Sequence, residues 1–202
     1  MKKTSLILAL LIFAGLSSYA QSSEEKLGMN QMFAKSVKYP AEARMENETG
    51  IVTLSVEIDE EGYPVGEPKV YAASDILKEE ILRTYNQVKE AWDPSFLDGK
   101  EAGEEYLMSF EFIMKKGAEF IKNPLKEYKV EKEVDHLAIL NKAIEENPFS
   151  SKLYEKRSEY YTMKGEMWLA KLDYNQSEFL KKNELTNVVI VGYGASNKPK
   201  SL

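Results

Sequence analysis

Gly50-Ile51-Val52-Thr53-Leu54-Ser55-Val56-Glu57-Ile58-Asp59 is the stretch on which the fold turns. Val52, Leu54, Val56 and Ile58 alternate with Thr53, Ser55 and Glu57, the period of a strand with one buried and one wet face. Glu60-Glu61-Gly62 after it reads as a hairpin-type turn in which glycine can supply a positive φ. Pro64 and Pro68 limit pairing, so the next strand is expected to be short, near Lys69 to Ala72. From Asp75 the period changes. Leu77, Ile81, Tyr85, Val88 and Trp92 fall on one helical face, Ser74 or Asp75 can cap the start, and Pro94 helps to stop the run. Tyr106, Met108, Phe110, Phe112 and Met114 then alternate with Ser109 and Glu111 in a last strand. Upstream, Tyr39-Pro40 opens a helix through Ala41-Glu42-Ala43-Arg44, because proline in the first turn loses no needed hydrogen bond. Before it, 21–38 reads as an N-terminal arm, either a short helix or a loose segment.

These pieces predict a small α+β unit: a three-stranded antiparallel sheet with helices on one face and water on the other. Their order is Y-P-x-x-A-R, a strand ending in D-x-x-G, a short strand, a helix, W-x-P, Gly99-Lys100 and a final strand. That order resembles the C-terminal domain of TonB-type energy transducers over 39–115, somewhat under half the chain. The resemblance implies a periplasmic protein-binding module that takes up extended peptides by strand addition in TonB-dependent outer-membrane transport. The edge it implies is the last strand, Tyr106, Leu107, Met108, Ser109, Phe110, Glu111 and Phe112.

Composition narrows the function from the other side. With 202 residues, 43% hydrophobic and 30% charged, the chain is a globular type with room for one or two small domains. A net charge of −6 without a basic stripe argues against nucleic acid. There is no cysteine, hence no disulfide, thiolate metal site or cysteine nucleophile. His136 is the single histidine, and no catalytic motif or phosphate loop occurs. The pairs Glu60-Glu61, Glu79-Glu80 and Glu104-Glu105 diverge on a strand or helix and read as solvated charge. No enzyme activity, cofactor or metal is expected. Lys2-Lys3, the apolar Leu6 to Leu16 and Ser18-Tyr19-Ala20 read as a signal peptide over 1–20, cleaved after Ala20. The mature chain is then periplasmic and without an integral membrane segment.

Beyond a charged linker at 116–131, helical period returns in 132–184. Leu140, Ala143 and Pro148, then Tyr154, Tyr161, Gly165, Ala170 and Tyr174, resemble a tetratricopeptide (TPR) region of about one and a half repeats. Arg157, Ser158, Ser177 and Lys182 depart from that pattern, and a bland helical hairpin explains the same spacing. The tail, 185–202, carries Val188-Val189-Ile190-Val191-Gly192-Tyr193-Gly194, a strong strand former that needs cover. It is similar to the TonB box of SusC-type receptors, with Ile190 as the departure. The resemblances imply a protein or peptide partner: a TonB-dependent receptor, a transducer, or the chain's own tail, docked within the chain or by strand exchange in a homo-oligomer. The alternative is an adaptor scaffold of the cell envelope that grips its partner with the TPR-like helices and binds no box.

Overall fold

The computed structural model describes residues 28–115 and 134–193. The expected signal peptide and linker, and Gly194 of the tail, lie outside them. In chain order the elements are α1 (Met29–Ser36), α2 (Ala41–Glu46), β1 (Gly50–Ile58), β2 (Pro64–Tyr71), α3 (Asp75–Glu90), β3 (Glu105–Lys115), α4 (His136–Glu146), α5 (Ser151–Met163), α6 (Met167–Lys182) and β4 (Glu184–Tyr193). A single 3₁₀ turn, Pro94–Leu97, lies between α3 and β3.

The alternating stretch is β1, and it sits inside the sheet rather than at a boundary. Strand order is β2-β1-β3-β4. β1 pairs antiparallel with β2 and with β3, while β4 runs parallel to β3. The sheet is therefore four-stranded and mixed, not the three-stranded antiparallel sheet expected from the sequence. β2 is also longer than expected. It accommodates Gly66 and Pro68 by an irregularity opposite Ser55 to Glu57, with Gly66 at φ 64°.

One face of the sheet meets α1 and α3. Val52, Leu54, Val56 and Ile58 of β1 join Met108, Phe110 and Phe112 of β3, Leu77, Ile81, Tyr85 and Val88 of α3, and Met29 and Phe33 of α1 in one core. The Ser74 hydroxyl caps α3 by accepting from the Leu77 N–H at 3.2 Å. Beyond the helix, the Trp92 indole donates to the Gly62 carbonyl at 2.8 Å. That bond ties the W-x-P turn to the D-x-x-G turn, and Gly62 has φ 89° with Pro94 close by, so that a Cβ there would meet the Pro94 Cβ at 3.0 Å. Two motif pieces 30 residues apart are thus one contact.

The other face is not wet. Thr53, Ser55 and Ser109 are buried there, and Ile51 packs with Ile144 of α4 and Leu153 of α5. Asn147, at the end of α4, donates to the Ile51 carbonyl at 3.1 Å and to the Thr53 hydroxyl at 3.0 Å. Of the side chains that looked solvent-facing, Thr53 meets the Asn147 amide at the end of α4, and the Ser55 hydroxyl donates to Glu105 on β3. The expectation of water on this face failed because the helices that cover it lie far along the chain.

α5 and α6 form an antiparallel pair around a turn at Gly165, φ 77°. Two of the four residues that break the repeat pattern, Arg157 and Ser158, join the pair. Arg157 grips Asp173 through two bonds of 2.7 and 2.8 Å and also donates to Asn141 at 2.8 Å. The Ser158 hydroxyl donates to the Ala170 carbonyl at 2.8 Å. These bonds take the place of apolar stacking between the two helices. Tyr174, expected in the pattern as a packed residue, is largely exposed.

Tyr85 is the largest of the fully buried side chains, and its hydroxyl has no hydrogen-bond partner among the described residues. Burial, with the Glu67 carboxylate adding to it, pushes its phenol up to about 12. The folded state thus holds this proton more tightly than the unfolded chain, where tyrosine titrates near 10. Its contribution is intact below pH ~10 and is lost as the pH rises through ~12. Tyr85→Phe should keep or raise stability by up to about 1 kcal/mol, since no bond is lost, and should flatten the alkaline end of a urea-midpoint against pH curve. A clear loss of stability at neutral pH would mean that the hydroxyl is in fact bonded.

Candidate functional site

β3 supplies the geometry on which any strand-addition site must rest. Tyr106, Met108, Phe110 and Phe112 point into the main core, and Leu107, Ser109 and Glu111 face α4, α5 and α6. The two faces alternate because successive side chains on a strand point opposite ways. The strand is held at its start by the Tyr106 hydroxyl, which donates to the Glu101 carbonyl at 2.7 Å. Glu105 accepts from Ser55 and from Lys69, and these hydrogen bonds hold its carboxyl below the usual range. Farther along, Lys156 of α5 pairs with Glu111 at 2.5 Å.

One edge of β3 is taken by β1. The other is taken by the chain's own tail. Met108 pairs with Thr186, Ser109 with Asn187, Phe110 with Val188, Glu111 with Val189, Phe112 with Ile190, Ile113 with Val191, Met114 with Gly192 and Lys115 with Tyr193. The sequence-predicted edge and the sequence-predicted tail are thus brought together, and within one chain. The direction is parallel, which the sequence did not disclose.

Three side chains outside both predicted sets complete the cleft. Asn30 of α1 accepts from the Thr186 hydroxyl at the start of β4. Phe33 of α1 meets Phe110 edge to face, centroids 5.0 Å apart, and Val188 and Ile190 fill the same core. Tyr39 stands edge-on to Phe112 at 5.3 Å, its hydroxyl donating to the Glu48 carbonyl. Its ring lies where a side chain at Gly192 would have to go: a Cβ there would meet two ring carbons at 2.7 Å. The tyrosine of the Y-P motif is therefore a wall for the tail as well as the start of a helix. Sequence reading recognised the motif but offered no signal for that contact, which spans about three-quarters of the chain.

On β4 the burial alternates. Thr186, Val188 and Ile190 are buried, whereas Val189, Val191 and Tyr193 are 51%, 37% and 64% exposed, so only one side of the strand is gripped. His136, the single histidine, lies exposed at the first residue of α4. Among the described residues no cluster of His, Asp or Glu could hold a metal ion, and no helix is long and apolar enough to cross a membrane.

Gly192→Ala should loosen β4 selectively. Forcing a methyl into a filled site typically costs about 1–3 kcal/mol. Hydrogen exchange should speed up at Thr186 to Tyr193 while Val52 to Ile58 stays protected, and Tyr39→Ala in the same chain should recover part of the loss. Unchanged exchange in β4 would show that Tyr39 yields without effort.

Comparison with known proteins fits this geometry. Residues 35–114, from the last turn of α1 to near the end of β3, match the family described as Gram-negative bacterial TonB protein C-terminal. The segment is similar to that family, and the match stops before α4, so it does not extend to the helical region or the tail. No curated protein and no solved structure matches the chain.

Proposed function

We propose that this segment similar to the TonB C-terminal family serves a protein-interaction module of the Gram-negative envelope, in the periplasm, which binds an extended segment of a partner along β3 in TonB-dependent outer-membrane transport. The supporting observation is the β3–β4 ladder. The outer edge of β3 accepts a strand from Leu107 to Lys115, with an apolar cleft under alternate side chains. Main-chain bonds of this kind give affinity with little sequence demand, and the alternate pockets give register. The family match over 35–114 supports the envelope setting. The partner is a TonB-dependent receptor segment, and the module acts as an adaptor or regulator of the contact between receptor and transducer.

A second reading rests on the helical layer. Trp168, Leu172 and Phe179 are exposed on α6 at spacings that align them opposite its packed residues Ala170, Asp173, Ser177 and Leu180. In that reading the TPR-like helices grip an envelope protein and the sheet edge binds nothing. Titrating the full chain with a receptor-box peptide separates the two. Strand addition predicts amide shifts along Tyr106 to Met114 and a loss of affinity of about tenfold or more when alternate peptide nitrogens are methylated, because edge donors are lost. The double change Trp168→Glu, Phe179→Glu should leave that binding unaltered. Indifference to N-methylation, or sensitivity to the α6 pair, would sink strand addition.

A further inference from the structure

β4 is bound as a ligand would be. It comes from outside the segment that matches the family, and its inward Val188 and Ile190 fill positions in the main core. Thr186 meets Asn30, Val188 sits beside Phe110, and Ile190 sits beside Phe112. Gly192 passes under the Tyr39 ring, where no side chain fits. The ring cannot simply turn aside, since its hydroxyl is bonded to the Glu48 carbonyl and its edge rests on Phe112. From Leu185 to Tyr193 the strand carries no charge, as an apolar cleft requires, because a buried unpaired charge is strongly disfavoured.

The strand is also separable from what precedes it. α6 ends at Lys182, and its end has one tie outside the β3–β4 ladder: Lys100 donates to the Lys182 carbonyl at 2.5 Å. β4 can leave β3 by a change at Asn183 and Glu184 while the α5–α6 pair stays joined through Arg157 and Asp173. Its outward residues Val189, Val191 and Tyr193 are already partly uncovered, so most of the packing given up is that of the alternate, inward residues.

We infer that β4 is a resident pseudo-ligand: the β3 cleft selects an uncharged extended segment reading aliphatic–x–aliphatic–x–glycine, and a partner bearing that pattern enters by taking β4's place. This rests on the strand-addition reading above and adds to it a sequence rule and a competitor. The competitor is strong because it is tethered. A short tether gives an effective concentration on the order of millimolar, so a free segment of equal intrinsic affinity at micromolar concentration is held off by roughly a thousandfold. The fraction of chains with β4 released scales the apparent affinity directly.

The test uses the full chain and a labelled peptide with the sequence of residues 185–195. The chain has no cysteine, so Ile113→Cys with Val191→Cys, which face each other in the ladder, gives one bridge that locks β4 in place when oxidised. Gly192→Ala loosens it. The expected order of peptide affinity is loosened, then wild type, then locked, with steps of about tenfold, and reduction of the lock should restore the wild-type value. A peptide with alanine in place of the first of its two glycines, the one matching Gly192, should bind about tenfold more weakly. Equal affinity for locked and loosened chains would overturn the proposal and would place the peptide on the open edge of β4 instead. Equal binding of the glycine and alanine peptides would overturn the sequence rule. If neither this peptide nor a receptor-box peptide binds any of the three forms, strand addition itself fails.

Discussion

A parallel strand cannot follow its neighbour directly, because the chain must return to the starting end of the sheet before it can run the same way again. That constraint governs this molecule. β4 lies parallel to β3, and the return path contains α4, α5 and α6. Parallel pairs are normally joined by a crossover of a dozen residues or more, usually helical. The helices of the crossover must lie on one face of the sheet, and the face free for them is the one opposite α1 and α3. The helical region is thus not an appendage to the sheet domain but the connection that its fourth strand needs.

The second layer changes what the sheet's polar residues do. On an open antiparallel sheet Thr53, Ser55 and Ser109 would hydrate. Here they are buried, and burying a hydroxyl without a partner is unfavourable. Asn147 answers Thr53, and Glu105 answers Ser55. A similar logic holds between α5 and α6, where Arg157 and Asp173 are mostly enclosed and bonded to each other. Such a pair fixes register more than it adds stability. The helical layer is held to the sheet and to itself by placed polar groups, with a small apolar patch at Ile51, Ile144 and Leu153.

The cleft at the outer edge of β3 is built from both ends of the chain. α1 gives Asn30 and Phe33, the Y-P motif gives Tyr39, and the C-terminal strand lies between them and β3. The segment similar to the TonB C-terminal family ends with β3, and the strand along the outer edge of β3 comes from beyond that segment in the same chain. β4 is one of the two edge strands of the sheet; it shows Val189, Val191 and Tyr193 on one side and has no charge between Leu185 and Tyr193. Edge strands usually carry charge or proline as protection, and Leu185 to Tyr193 carries neither.

The sequence by itself determined what depends on neighbours along the chain. The period-two run at Val52 to Ile58, the 3–4 spacing from Leu77 to Trp92, the cap at Ser74 and the strand character of Val188 to Tyr193 are set by local geometry and by which side chains avoid water. They were legible, as was the family resemblance that the ordered turns carry. The β3 edge and the tail could each be named. Only the tertiary structure decided that they meet in parallel, that the sheet has four strands, that the Thr and Ser side faces helices rather than water, and that Tyr39 stands over Gly192. Those outcomes depend on contacts between residues about 30 to 160 positions apart. A short polar side chain alternating on a strand looks the same whether water or an asparagine amide will satisfy it, and strand direction leaves no mark on the alternation, because a parallel and an antiparallel strand bury the same alternate side chains.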